Sequence, residues 1–422
     1  MRRWVLRLAL LAGGTVIAVG VLEVALRLLG ISYPAFHTWD RHRGSALRPG
    51  ASGWYREEGE AHVRVNSAGM RDREHAREKP PGTLRIAVLG DSFTEALQVP
   101  RDATFWAVLE RELGRCLAPS GRTVEVLNFG VSGYGTAQEL LTLRHRVWEF
   151  RPDLVLLAFL SGNDVSDNSR ALEGDPMKPY FVYRDGELVL DDSFRDQSAF
   201  RARQTPLAEL VYRLLDHSRT LQVVIRAQRN LRAAAQHRQR QAATPETPVG
   251  EELGLESAVY AEPADVRWRE AWQVTEGLLA LMRDEVESHD VELLVVSLSN
   301  PIQVHPDPGL RRAFAERLGV QDLFYPERRL ASWGEAHGVA VLPLAPRLQP
   351  IAERRGVFLH GFGDALGEGH WNELGHRLAG ELIARHLCRA RSGRGYTEPT
   401  APHDPAPHSP PSAEHSAHER RH

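Results

Sequence analysis

Serine, glycine, asparagine and histidine recur in four short segments of this 422-residue chain. The segments are Gly-Asp-Ser-Phe at 90–93, Asn-Phe-Gly-Val-Ser-Gly at 128–133, Gly-Asn-Asp at 162–164 and His-Trp-Asn at 370–372. A serine hydroxyl becomes a good nucleophile when an imidazole accepts its proton, and the oxyanion formed by its attack needs fixed N–H donors. These residue types therefore predict nucleophilic acyl chemistry if the fold brings the four segments together.

Three of the segments come directly after a predicted strand. The apolar runs 84–89, 124–127 and 154–160 are typical of buried strands, and Ser92 lies on the turn that leads from the first run to a helix over 103–113. Ligands of an open parallel sheet bind at the carboxyl ends of its strands. This position suits a nucleophile, although Asp91 and Ser92 are also the residue types that commonly cap a helix.

The alternation of strands and helices predicts an α/β fold. Further helices are expected over 137–149, 266–288, 322–337 and 373–387, and further strands over 291–298 and 339–342. This pattern favours a three-layer α/β/α, flavodoxin-like doubly wound parallel sheet of about five strands.

The remaining segments define the predicted domain boundaries. Residues 84–390 form the main domain, with an insertion over 165–265 that contains a hairpin around 185–186 and a helix over 207–231. An irregular lead-in over 31–83 precedes the domain. A tail over 391–422, rich in Pro, His and Ser, is expected to be disordered, as is the stretch 244–250 within the insertion.

Composition excludes several classes of protein. A net charge of −3 gives no reason to expect a nucleic-acid partner. The 2 cysteines, Cys116 and Cys388, exclude a disulfide-rich scaffold and a cysteine-rich zinc site. His370 and His376 are six residues apart and do not have the spacing of a helical zinc pair. Acyl chemistry by a serine and a histidine needs neither a metal nor an organic cofactor, and we expect none.

The N-terminal segment, 1–30, predicts contact with a membrane. It is apolar from 4 to 29 and without charge from 8 to 22, and basic residues precede it. A signal-anchor helix with an extracytoplasmic catalytic domain, periplasmic or extracellular, is the favoured interpretation. A cleavable signal peptide is the alternative, but the small-residue pattern Ala-Val-Gly at 18–20 is a poor cleavage site inside the apolar run.

The four segments, in their order, resemble the four sequence blocks of the SGNH (GDSL-type) hydrolase family. The resemblance covers about 84–387 without the insertion, and with the N-terminal helix it suggests a membrane-anchored, bacterial-type member. It implies that Ser92 is the nucleophile and His370 the general base. It further implies an oxyanion hole made by the backbone N–H groups of Ser92 and Gly133 and the side-chain amide of Asn163, with Gly130 as the alternative to Gly133.

One position departs from the family pattern. The acid that orients the histidine is usually an aspartate two or three residues before it, where this chain has Glu368 and Gly367. Glu368 is the expected acid, because triads with glutamate exist. Asp364, on the same glycine-rich loop, is its rival.

The expected activity is therefore a serine esterase that hydrolyses O-acyl esters, short-chain or O-acetyl, through an acyl-serine intermediate. The ester would be carried by a glycan or a lipid. An O-acyltransferase that modifies envelope polysaccharide with the same triad is the alternative, and a non-catalytic envelope binding module is a third hypothesis.

Overall fold

The computed structural model describes residues 2–228, 231 and 257–392. The stretch 244–250 lies outside the described residues. So does the predicted tail over 391–422, except for its first two residues, which end the last helix.

The strands, in chain order, are β1 (His37–Asp40), β2 (Gly44–Leu47), β3 (Ser52–Tyr55), β4 (Ala61–Arg64), β5 (Thr83–Gly90), β6 (Thr123–Asn128), β7 (Leu154–Phe159), β8 (Tyr180–Arg184), β9 (Glu187–Asp191), β10 (Glu292–Ser297) and β11 (Ala340–Pro343). The numbered helices are α1 (Arg2–Leu28), α2 (Ser92–Glu95), α3 (Phe105–Leu117), α4 (Thr136–His145), α5 (Asp164–Asp167), α6 (Ser198–Arg203), α7 (Pro206–His217), α8 (Val266–Ser288), α9 (Pro308–Leu318), α10 (Tyr325–His337), α11 (Ala345–Arg355) and α12 (Glu373–Ser392).

Five of the strands form one parallel sheet in the order β11-β10-β7-β5-β6. Counted along the chain within this sheet, the order is the flavodoxin-like 2-1-3-4-5, which confirms the predicted fold class. The chain reverses its direction of winding between β5 and β7, and that reversal marks the place where open α/β sheets bind ligands. Ser92 lies immediately beyond β5 at this point.

Helices cover both faces of the sheet. Every residue of β5 is buried, and its side chains alternate between two cores because successive residues of a strand point to opposite faces. Leu84, Ile86 and Val88 pack with residues of α3, α11 and α12. Ala87 and Leu89 pack with residues of α4, α8 and α10. A strand buried on both faces explains the continuous apolar run in the sequence.

The elements outside the sheet differ from the sequence predictions in three respects. The lead-in is not irregular, because β1 pairs with β2 and β3 pairs with β4, both antiparallel. Helices α9 and α11 lie where none was expected. The single helix expected over 207–231 is interrupted at Ser218, between α7 and a helix whose described part spans 219–228.

The hairpin expected around Asp185 and Gly186 is confirmed. It joins β8 to β9, and both turn residues have positive φ, 52° and 86°. A two-residue turn of this kind matches the twist of the strands that it connects.

A disulfide joins α3 to α12 on one face of the sheet. It links Cys116 to Cys388, which are 272 positions apart in the sequence and have Cα atoms 6.2 Å apart. A cross-link across so long a loop stabilises the fold by restricting the unfolded chain.

We expect the double variant Cys116→Ser/Cys388→Ser to lose about 2–5 kcal/mol of unfolding free energy. Guanidinium unfolding of the detergent-solubilised chain measures this loss, and the reduced wild-type chain is the control that should fall by a similar amount. Equal stability of the oxidised wild type and the variant would contradict the expectation.

Candidate active site

Ser92 lies on a tight turn that is built by the residues before it. Asp91 caps α2 by accepting a hydrogen bond from the backbone N–H of Phe93 at 2.9 Å. Asp91 therefore fills the capping role that the sequence allowed for either residue, and the Ser92 hydroxyl remains available. Gly90 allows the turn, because a Cβ at this position would lie 2.2 Å from Oγ1 of Thr94.

The Ser92 hydroxyl contacts the imidazole of His370. The distance from Oγ to Nε2 is 2.8 Å, although the two residues are 278 positions apart in the sequence. The loop before α12 brings His370 to the end of β5. The serine donates this bond if the proton of a neutral imidazole lies on Nδ1.

The carboxylate at Nδ1 of His370 belongs to Glu58. Oε2 lies 2.5 Å from Nδ1, and Oε1 accepts the backbone N–H of His370 at 2.7 Å. Burial raises the pKa of Glu58, but the hydrogen bonds from His370 outweigh it and hold that pKa below its ordinary value. An ionised carboxylate can only accept, so the proton lies on Nδ1 and Nε2 is the acceptor for Ser92.

The structure thus places neither of the expected acids at the histidine. Nδ1 carries a single hydrogen, which it donates in a hydrogen bond to Glu58. The side chains of Glu368 and Asp364 are exposed on the loop before His370. Glu58 approaches His370 from a separate hairpin, between β3 and β4.

Two glycines allow that approach. Glu58 lies in the turn between β3 and β4, and a Cβ at the adjacent Gly59 would lie 2.2 Å from the carbonyl oxygen of Gln98. Gly369 has a φ of +66°, and a Cβ there would lie 1.9 Å from Oε1 of Glu58. Glycine at both positions therefore leaves room for the close approach of Glu58 to His370.

A buried network fixes the loop that carries His370. His360 donates through Nδ1 to the carbonyl of Gly369 at 2.8 Å. Its Nε2 is 3.1 Å from Oγ of Ser299, which accepts the indole N–H of Trp371 at 2.8 Å. Burial lowers the pKa of His360 to about 3, so its ring is neutral and can hold this arrangement.

Asn163, expected to donate to an oxyanion, is held beside the turn of Ser92. Its Nδ2 donates to Oδ2 of Asp91 at 3.0 Å. A side-chain amide has two N–H bonds, so the second remains for a ligand. Burial raises the pKa of Asp91, the residue that connects Asn163 to the turn of Ser92.

The loop of Gly133 is also attached to α2, the helix that begins at Ser92. The backbone N–H of Ser132 donates to Oε2 of Glu95 at 2.7 Å. Gly130 packs directly on α2, where a Cβ would lie 2.5 Å from Cβ of Thr94. The N–H of Gly130 already donates to Oδ1 of Asn128 at 2.9 Å, which leaves Gly133, exposed and with a φ of +77°, as the candidate donor of this loop.

Trp371 and His376, which follow His370, are both buried in the packing of the domain. Trp371 is fully buried against Phe93 and Phe105. His376 is buried on α12, and its Nδ1 accepts the N–H of Phe105 at 3.3 Å. Within the described residues, no group of three or more His, Cys, Asp or Glu side chains is arranged to hold a metal ion.

No family model and no curated protein sequence matches the chain. Solved structures to which it is similar include the acetyl xylan esterase AlAXEase, with 10% identity, a TM-score of 0.37, and coverage of 72% of this chain and 99% of that one. The lipase/acylhydrolase from Enterococcus faecalis has 16% identity and a TM-score of 0.33 over 72% of this chain and 96% of its own. A GDSL-like lipase from Bacteroides thetaiotaomicron has 12% identity and a TM-score of 0.30 over 73% and 89%. The functional argument below therefore rests on the geometry of the site.

We expect Glu58→Gln to lower kcat/KM by on the order of 10³- to 10⁴-fold, because an amide does not stabilise the imidazolium that forms during the reaction. Hydrolysis of a chromogenic acetyl ester measures the loss. Glu368→Gln is the matched control and should retain nearly full activity. The opposite ranking of the two variants would return the role of the acid to Glu368.

Gly369→Ala should lower kcat/KM by on the order of 10²-fold, because its methyl group would displace the Glu58 carboxylate and with it the imidazole. Gly363→Ala is the control. It lies in the same loop with a similar φ of +57°, but its Cβ would have no neighbour within 4 Å. Equal losses in the two variants would mean that backbone strain, and not the carboxylate, explains the effect.

Proposed function

We propose that this chain is a serine esterase of the SGNH (GDSL) type that hydrolyses O-acyl esters through an acyl-serine intermediate. One observation carries the proposal, namely the continuous line of hydrogen bonds from Glu58 through His370 to Ser92. Both contacts have the lengths of direct hydrogen bonds, and the tautomer that Glu58 imposes leaves Nε2 able to accept a proton.

The reaction follows from this line of hydrogen bonds. Ser92 Oγ attacks the acyl carbon of the ester while its proton passes to Nε2 of His370. The imidazolium is stabilised by Glu58 and then protonates the alcohol oxygen as the carbon–oxygen bond breaks. Water attacks the acyl-serine by the same route, and the acid leaves with Ser92 restored.

Three N–H donors would stabilise the oxyanion of each tetrahedral intermediate. They are the backbone N–H groups of Ser92 and Gly133 and the second N–H of Asn163. Removal of one such donor typically costs about 2.7–4 kcal/mol in the transition state. The attachment of Asn163 to Asp91 and of Ser132 to Glu95 supports this assignment, since both tie the donors to the helix that carries Ser92.

We further propose that α1 remains attached as a membrane anchor and that the catalytic domain is extracytoplasmic. Within the described part of the chain, α1 is the helix long and apolar enough to cross a bilayer, with a mean hydropathy of 2.2 over its most apolar part. Glu23 accepts the backbone N–H groups of Arg219 and Thr220, contacts that cleavage after α1 would remove. The Cys116–Cys388 disulfide supports an oxidising compartment.

Ser92→Ala should lower kcat for p-nitrophenyl acetate by about 10⁶-fold, because the nucleophile is lost while the fold is kept. Labelling of the wild type by a fluorophosphonate, and its absence in the variant, is the second measurement. Ser332→Ala, at an exposed serine on α10, is the control for both. Unchanged turnover of Ser92→Ala would remove this residue from the mechanism.

The product formed in the presence of an acetylated donor and an oligosaccharide separates hydrolysis from the alternative of acyl transfer. Hydrolysis yields free acetate whether or not the sugar is present. Acetylated sugar as the main product would identify the same triad as that of an O-acyltransferase.

A further inference from the structure

Helix α7 in the insertion exposes a continuous apolar stripe. Leu207, Leu210, Val211 and Leu214 are 67%, 51%, 40% and 51% exposed. Their spacing of three, one and three residues places them on one face of the helix. An apolar stripe of this length on the surface of a domain marks a place where something other than water is bound.

The other sides of α7 fix the direction in which the stripe faces. Leu215 is buried, and Asp216 pairs with Arg48 of the lead-in through two hydrogen bonds of 2.7 and 2.6 Å. Glu209 and Arg213 form an exposed polar side. Helix α7 therefore cannot rotate to bury the stripe in the protein without exposing Leu215 and breaking the pair between Asp216 and Arg48.

The end of α7 is attached to the anchor helix. Arg27 donates to the carbonyl of His217, the last residue of α7, at 2.6 Å. One turn earlier in α1, Glu23 accepts the N–H of Arg219 at 3.0 Å and that of Thr220 at 2.9 Å. These bonds hold the corner between α7 and the 219–228 helix against the last turns of α1.

This attachment determines the depth of α7 relative to a bilayer. The part of α1 from Trp4 to Leu22 is 19 residues long and carries one charge, Arg7, near its start. Its length is ~28 Å at 1.5 Å per residue, close to the ~30 Å thickness of the hydrocarbon layer. The long side chain of Arg7 can extend to the interface at the start of α1 while its stem stays among the lipid tails. Glu23 and Arg27 then lie at the boundary between the lipid tails and the headgroups. His217 lies at the same level, because it is bonded to Arg27.

We propose that α7 lies in the membrane interface, with its apolar stripe inserted among the lipids of the leaflet on the side of the catalytic domain. The inference rests on the anchored topology proposed above. Lipid is the occupant that the structure favours, because the end of α7 is bonded to the last turns of α1, at the level where α1 leaves the bilayer. An amphipathic helix with charged flanks is the form that interfacial membrane segments take.

The exposed aromatic residues beside the anchor agree with this placement. Tyr33, five residues beyond α1, is 42% exposed, and Trp54 is 41% exposed. Both belong to the segment that packs near the end of α1, since a Cβ at Gly53 would lie 2.3 Å from Pro34. Tyr and Trp favour the headgroup level of a membrane.

Nitroxide labels on the full-length chain test the proposal. Leu207→Cys, Leu210→Cys and Leu214→Cys are labelled singly after reconstitution into vesicles of equal phosphatidylcholine and phosphatidylglycerol. The native cysteines do not react, because they form the disulfide. Accessibility of each label to oxygen and to a nickel chelate reports depth. Leu11→Cys, within α1, and Leu310→Cys, a leucine of α9 with 44% exposure, are the lipid and water references.

We expect the ratio of oxygen to nickel accessibility at 207, 210 and 214 to be several-fold above that at 310 and below that at 11. Labels as accessible to nickel as the label at 310 would overturn the interfacial placement while anchoring stands. Protection from both reagents would overturn it in favour of a protein contact, such as a second copy. A label at 11 exposed to water would overturn the anchoring itself. Retained ester hydrolysis by each labelled chain shows that it is folded.

Discussion

The site depends on one carboxylate that accepts two hydrogen bonds from one residue. Glu58 holds both the backbone N–H and the ring N–H of His370, so the position of the loop and the direction of the imidazole are set together. A single bond to the ring would leave the loop able to shift beneath it. Both bonds favour the ionised carboxylate and offset the cost of its partial burial, which is why the pKa of Glu58 lies below its ordinary value.

The sheet and most of the site were predictable because their signals are local. A buried parallel strand is a continuous apolar run, and its carboxyl end is where the next polar segment begins, so Ser92, Gly133 and Asn163 could be placed at one edge. The hydrogen bonds from Asn163 to Asp91 and from Ser132 to Glu95 agree with that placement. Local geometry also decides which residue caps α2. The side chain of Asp91 accepts the N–H of Phe93, so the hydroxyl of Ser92 is not needed as a cap.

The carboxylate that contacts His370 was not predictable from local signals. Glu58 lies in a hairpin of the lead-in, 312 positions from His370, and its neighbours in the sequence are ordinary turn residues. One indication was present in the sequence: Gly367 and Glu368 stand at the positions where the family that the chain resembles usually has an aspartate. Such a gap indicates that the acid comes from elsewhere but does not say from where. Gly369 leaves space for the distant Glu58 carboxylate, and no pattern in the sequence shows that this space is needed.

The interrupted helix has a similar cause. The apolar periodicity over 207–231 continues through Ser218 and hides the break. Ser218 caps the start of the 219–228 helix by accepting the N–H of Leu221 at 3.2 Å. Glu23, from a different part of the chain, accepts the N–H groups of Arg219 and Thr220. Helix α9 was missed for the opposite reason. Its cap, Asp307, is present in the sequence, but its apolar residues are too few to give a clear period.

Helix α1 and the carboxylate of Glu58 belong to one connected structure. Arg56 donates to the carbonyl of Gly30 at the end of α1 at 2.7 Å, Glu57 pairs with Arg226 of the insertion, and Glu58 binds His370. Three consecutive residues thus join α1, the insertion and the candidate site. The hairpin that carries Glu58 is therefore positioned as much by α1 and the insertion as by the sheet. Such a lead-in cannot be exchanged for a simple linker, because a linker would carry the domain but would not bring a carboxylate to His370.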